Sequence, residues 1–186
     1  MIRLDTLENQ VKPVYLSIGS NLGNKKNNID QAKYQLVQMG VKILQASNYY
    51  ETLSWPNPAN PKFFNIILEV STNYSPIELL KKCKDIEKKL GRKKSARNSP
   101  RECDIDIIDF NGKKINKRLV LPHPRMHLRS FVLFPLFELN KKWKHPISKL
   151  HIKSLIFSLS NKDIRSIKQI WFNDIIKNAK FWRFNK

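Results

Sequence analysis

A chain of 186 residues with 41% hydrophobic residues can bury a core as a single domain without disulfides or structural metal. No apolar run approaches the roughly 18 residues of a membrane span, and positions 1–13 lack an apolar signal core, so the expectation is a cytoplasmic protein with no membrane partner. The formal charge of +20 favours polyanionic partners such as nucleic acid, acidic membrane or nucleotides without choosing among them. Lysines spread along the whole length leave general composition as an equal explanation.

In chain order, 14–18 form a β-rich run that ends in the turn-rich 19–24, which lacks the Walker phosphate-loop pattern. Ile29, Ala32, Leu36 and Met39 recur at helical spacing, with Gly40 as the stop. A second strand is predicted over 41–50 and a third over 63–71. Between them lies a long loop with Trp55, Pro56, Pro58 and Pro61. Ser75, Pro76 and Glu78 signal a capped helix running to Gly91. A basic segment, 92–97, leads to a strand with Cys103, Ile105 and Ile107 on one face and Glu102, Asp104 and Asp106 on the other.

Asn111-Gly112 then signals a tight hairpin turn. The order β-α-β-β-α-β predicts an α+β, ferredoxin-like core with an additional hairpin, two helices covering one sheet face and the other face free for ligands. Past Pro146, Leu150, Leu155, Ile156, Leu159, Ile164, Ile167, Ile170, Trp171, Ile175 and Ile176 suggest helices. The organisation expected is one domain, 1–186, with a core over 14–146 and a helical, basic extension over 147–186. Phe181, Trp182 and Phe184 in the basic tail either stack on single-stranded nucleic acid or pack on the domain. Cys83 and Cys103 lack metal-ligand spacing and read as reduced, structural thiols.

On a strand, the Cα atoms of Asp104 and Asp106 lie roughly 6.5 to 7 Å apart, so both carboxylates can reach ions in one shared site. Mg²⁺ takes one or two protein carboxylates and completes its shell with water and phosphate oxygens, which suits an Asp-x-Asp beside arginines. A solvated face of an amphipathic strand is the plain alternative.

Several runs together resemble the 6-hydroxymethyl-7,8-dihydropterin pyrophosphokinase family: Tyr15-Leu16-Ser17-Ile18-Gly19-Ser20-Asn21-Leu22-Gly23, Phe63-Phe64-Asn65, Ile86-Glu87-x-x-Leu90-Gly91-Arg92, Pro100-Arg101-x-x-Asp104-Ile105-Asp106, Pro122-His123-Pro124-Arg125-Met126 and Arg129-x-Phe131-x-Leu133-x-Pro135-Leu136. The resemblance covers 14–146. It implies transfer of the β,γ-pyrophosphoryl group of ATP to the pterin hydroxymethyl group in folate synthesis, with AMP released and two Mg²⁺ ions in the site. ATP and the pterin are then the expected partners.

By the same resemblance Asp104 and Asp106 hold the metal, and Arg92, Arg101 and Arg129 surround the phosphates, with Arg92 and Arg101 catalytic alongside the acids. Glu87, Ile107 and His123 contact nucleotide, although His123 between prolines also suits a turn cap. Asn65 reads the pterin edge, Phe131 stacks on the ring, and Thr52 and Leu53 contact it from their loop. Phe63, Trp55 and Arg118 are further candidates. Asn98 and Ser99 stand where many relatives carry Trp followed by Gly or Ala, and Trp55 could supply the missing wall. Glu102 stands where Thr is usual and adds a third acid. The competing expectations are a nucleic-acid-binding ferredoxin-like module and an inactive relative.

Overall fold

The protein is described here from a computed structural model covering residues 13–92, 96 and 98–170. Strand β1 (Val14–Ser20) is buried along its whole length. Helix α1 (Lys25–Gln38) starts after Asn24, whose side chain accepts from the Asn27 N–H at 3.1 Å. Its buried stripe is Ile29, Ala32 and Leu36, and Gly40 follows with a left-handed φ of 81°.

The single strand expected over 41–50 is two, β2 (Lys42–Ala46) and β3 (Tyr49–Thr52). The break has a cause 90 residues away: Glu138 accepts from both the Asn48 N–H at 3.0 Å and its Nδ2 at 2.7 Å. Beside it, the Ser47 hydroxyl accepts from the Ile67 N–H at 2.9 Å. Both strands pair with β4 (Phe63–Ser71), β3 at 63–65 and β2 at 68–71.

Helix α2 (Pro76–Lys89) carries the full capping box: Ser75 accepts from the Glu78 N–H, and the Glu78 carboxylate accepts from the Ser75 N–H at 2.8 Å. Strand β5 (Asp104–Phe110) begins later than the sequence suggests, so Glu102 and Cys103 precede it. Glu102 lies with its side chain near Gly91. A bulge pairs Leu16 with Ile107 but Tyr15 with Asp109, skipping Ile108.

The Asn111-Gly112 turn forms, with φ of 56° and 71°, but it closes no hairpin with β5. The hairpin lies further on, between β6 (Ile115–Asn116) and β7 (Val120–Leu121). After a 3-10 turn at Met126–Leu128 come α3 (Ser130–Leu139), α4 (Ile152–Phe157) and α5 (Asn161–Ser166). The expected helical run then gives way to β8 (Lys168–Ile170), which pairs antiparallel with β3. Ile167 thus ends a helix and Ile170 belongs to a strand, because the free edge of β3 offers hydrogen bonds that a helix cannot take. Trp171, Ile175, Ile176, Phe181, Trp182 and Phe184 lie outside the described residues, as do Lys93, Lys94, Arg97 and 1–12.

The result is a mixed α+β fold on an antiparallel sheet ordered β5-β1-β4-β3-β8, with β2 also on β4. One face packs Leu16, Ile18, Ile66, Leu68, Ile105 and Ile107 under α1 and α2. Cys83 and Cys103 are fully buried in this layer, and burial pushes both thiols up to about 12. The opposite face, expected to be free, carries a second core: Tyr15, Ile67 and Ile108 meet Val132, Leu133 and Leu136 of α3 and Ile152 and Leu155 of α4. The apolar Phe-Val-Leu-Phe-Pro-Leu-Phe run of α3 requires such cover.

Replacing Ser75 by Ala removes the hydroxyl that accepts from the Glu78 N–H and leaves the Ser75 N–H bond to the Glu78 carboxylate in place. The expected cost is about 1 kcal/mol, read as a fall of roughly 2–4 °C in Tm by calorimetry.

Candidate active site

With Ile105 and Ile107 turned into the helix-covered core, Asp104 and Asp106 present their carboxylates on the other face, 21% and 31% exposed. Each is flanked by basic side chains. Asp104 accepts from Arg92 Nη1 at 2.6 Å and lies 3.3 Å from Arg101 Nη2. Asp106 Oδ2 lies 3.4 Å from Arg129 Nη1 and 3.8 Å from His123 Nε2.

Different elements deliver these side chains. Arg92 follows the end of α2 and also pairs with Glu87, whose carboxylate is 1% exposed and accepts from the Ile105 N–H at 2.7 Å. Arg101 is placed by its backbone, which exchanges two hydrogen bonds with Asn21, and its guanidinium lies 5.6 Å from the Phe63 ring centre. His123 performs the turn-capping role directly: its Nδ1 accepts from the Arg125 N–H at 3.2 Å, which leaves Nε2 facing Asp106 and Arg129. Arg129 precedes α3 and sits 5.3 Å from the centre of Phe131.

Asn65 lies across the sheet from these charges. The register sets Asp104, Gly19, Asn65 and Tyr50 in one rank over four strands. Gly19 is the gap in that rank, since a Cβ there would stand 2.9 Å from Asn65 Oδ1. The Asn65 Nδ2 donates to Thr52 Oγ1 at 3.0 Å, at the end of β3 where Leu53 begins the loop. With strands about 4.8 Å apart, the backbone positions of Asp104 and Asn65 stand roughly 10 Å from each other across β1.

Other sequence candidates fall outside this cluster. Ile107 turns its side chain into the core. Trp55, 69% exposed on the 53–62 loop, and Arg118, exposed in the β6–β7 turn, join none of the ion pairs described above. Asn98 takes a left-handed φ of 65°, a backbone that Asn tolerates more readily than Trp. Two residues of the β1 run were given no individual role by the sequence, Gly19 and Asn21. Asn in a turn commonly bonds backbone groups, but the partners of Asn21 lie 33 to 80 residues away.

A family model described as 7,8-dihydro-6-hydroxymethylpterin-pyrophosphokinase matches residues 15–141. This chain belongs to that family. It is 36% identical over 141 residues to the 2-amino-4-hydroxy-6-hydroxymethyldihydropteridine pyrophosphokinase of Aquifex aeolicus, covering 75% of this chain and 88% of the relative. The same-named Bacillus subtilis protein is 39% identical over 127 residues, covering 67% and 76%. The Pneumocystis carinii folic acid synthesis protein fol1 is 38% identical over 155 residues, which is 83% of this chain but only 21% of that longer protein. A crystal structure of an HPPK-DHPS protein in complex with substrates shares the fold, with a TM-score of 0.67 at 15% identity over 87% of this chain and 47% of that one. Wild-type Plasmodium falciparum HPPK-DHPS gives 0.64 at 16% identity, over 86% and 48%.

In this chain the donor set suits a hard cation: two oxygen-only carboxylates on one strand face. Among the described residues no group of three or more His, Cys, Asp or Glu could hold a metal ion. A cation here would therefore complete its shell with water and substrate oxygens. The Nε of Arg101, buried with no hydrogen-bond partner among the described residues, is a donor suited to an anion beside it.

Burial alone would raise the Asp104 carboxyl, but Arg101 and Arg92 outweigh it and hold the group below the usual carboxylate range. Burial lowers the His123 imidazole, Arg129 and Arg125 reinforce the fall, and Asp106 opposes it. For Asp104 a folded value below the unfolded one means stability that is complete above about pH 4 and lost as pH falls through the folded value. The difference in urea midpoint between wild type and Asp104→Asn is therefore expected to narrow as pH drops from about 4 toward 2.

Proposed function

We propose that the chain transfers pyrophosphate from ATP to 6-hydroxymethyl-7,8-dihydropterin, giving AMP and the pterin pyrophosphate for folate synthesis, at the Asp104 end of the sheet. The observation that carries this reading is the rank across β5, β1 and β4, with charge-ringed carboxylates at one end, a carboxamide at the other and glycine between. The strand order, with α1 and α2 on one face, supports a ferredoxin-like core over 14–146, to which 147–186 is an extension. Among the described residues no helix is long and apolar enough to cross a membrane. We read the protein as cytoplasmic, with the two small molecules as its partners.

Arg92, Arg101 and Arg129 hold the triphosphate by charge-assisted hydrogen bonds and remain charged throughout turnover. They neutralise charge that spreads over the phosphate oxygens as the pterin hydroxyl attacks the β-phosphorus and AMP leaves on the opposite side. His123 Nε2 is placed to donate to a nucleotide oxygen, with its orientation fixed by the Nδ1 bond to Arg125. Glu87 acts through Arg92, which it holds in place.

Two Mg²⁺ ions, held by Asp104 and Asp106, would supply charge neutralisation of the triphosphate and acidification of the attacking hydroxyl. Asn65 presents Oδ1 and its second N–H to the pterin edge, while Phe131 and Phe63 offer ring faces and Thr52 and Leu53 offer backbone groups. Trp55 on the exposed loop is available to cover the ring, and closure of that loop excludes water from the triphosphate.

Incubation with Mg²⁺, ATP and the hydroxymethyl pterin is expected to yield AMP and pterin pyrophosphate. ADP as the product, or no turnover, overturns the reading. Asp104→Ala and Asp106→Ala are each expected to lower kcat on the order of 10²- to 10³-fold. A chelator should abolish turnover and added Mg²⁺ restore it.

A further inference from the structure

We propose that Asn21 is a positioning residue that joins the pterin-side loop to the phosphate-side arginine, so that a single buried carboxamide sets both halves of the site. This inference rests on the reading above and extends it to a residue without substrate contact.

Asn21 is 2% exposed in the turn after β1. Its Nδ2 donates to Ser54 Oγ at 3.2 Å and to the Pro61 carbonyl at 3.1 Å. The Ser54 hydroxyl donates to the same Pro61 carbonyl at 2.6 Å. Ser54 and Pro61 are the two sides of the neck of the 53–62 loop, so these three bonds close it. On the other side, Asn21 Oδ1 accepts from the Arg101 N–H at 2.8 Å, and the Asn21 N–H donates to the Arg101 carbonyl at 3.1 Å.

The partners fix the chemistry. Only a side chain with one acceptor and two donors in that order satisfies all of them. A carboxylate keeps the bond from Arg101 but turns a lone pair toward the Pro61 carbonyl, which releases the loop neck while leaving the arginine held. Thr52, two residues before the neck, bonds Asn65, and Arg101 reaches Asp104. The carboxamide thus sits between the group that reads the heterocycle and the group that holds phosphate.

The test compares Asn21→Asp and Ser54→Ala with wild type. Asn21→Asp is expected to raise the pterin KM at least tenfold, with less than a threefold change in Kd for a non-hydrolysable ATP analogue. In ligand-free protein it should speed amide exchange at least tenfold over 53–60. Ser54→Ala should move both readings the same way, about threefold. Unchanged pterin KM and exchange overturn the proposal, as does an equal loss of pterin and analogue affinity that tracks a fall in Tm. Failure of wild type to form AMP would defeat the pyrophosphokinase reading, whereas the ligand-free exchange would still decide whether Asn21 clamps the loop.

Discussion

Glu87 is enclosed near the end of α2, and the position of the site follows from how its charge is satisfied. One oxygen takes the Ile105 N–H at 2.7 Å and the Lys84 ammonium at 2.7 Å, and the other pairs with Arg92. A carboxylate removed from water persists only with such donors, and loss of one partner typically costs about 3–5 kcal/mol. These donors come from α2, from the segment just after it and from the start of β5, so the need to satisfy one charge ties the two elements together. Arg92 then bridges Glu87 and Asp104, and the orientation of the first site carboxylate is inherited from a buried residue on the neighbouring helix.

The rest of the sheet distributes space around that anchor. Two apolar layers cover its faces, and their extent decides where water and substrates can reach. The β5 bulge lets Ile108 enter the second layer and Asp109 accept from Trp143 Nε1 at 2.9 Å, while Asp106, ahead of the bulge, stays at the open end. Asp104, Gly19 and Asn65 thereby share one end of β5, β1 and β4.

Local chemistry was legible wherever its cause was local. The Ser75-Pro76-Glu78 cap, the 63–71 strand and the shared face of Asp104 and Asp106 all follow from neighbours within a turn or a strand pair. The misread features depend on distant partners. Glu138 splits β2 from β3, the edge of β3 recruits 168–170 as a strand, and α3 covers a face that alternation alone leaves free. The same distinction holds in the site: alternation along the strand suggested the carboxylate pair, and the resemblance supplied the arginines and Asn65 as expectations. The role of Asn21 is invisible until the chain brings Ser54, Pro61 and Arg101 around it.

Cys83 and Cys103, fully buried with thiols pushed up to about 12, give the folded protein a built-in reporter. Burial disfavours the thiolate of both, and none of either side chain is offered to solvent. An alkylating reagent can modify them only when α2 lifts from the start of β5. Because Cys103 directly precedes Asp104, the labelling rate measures how often the scaffold beneath the start of β5 comes apart.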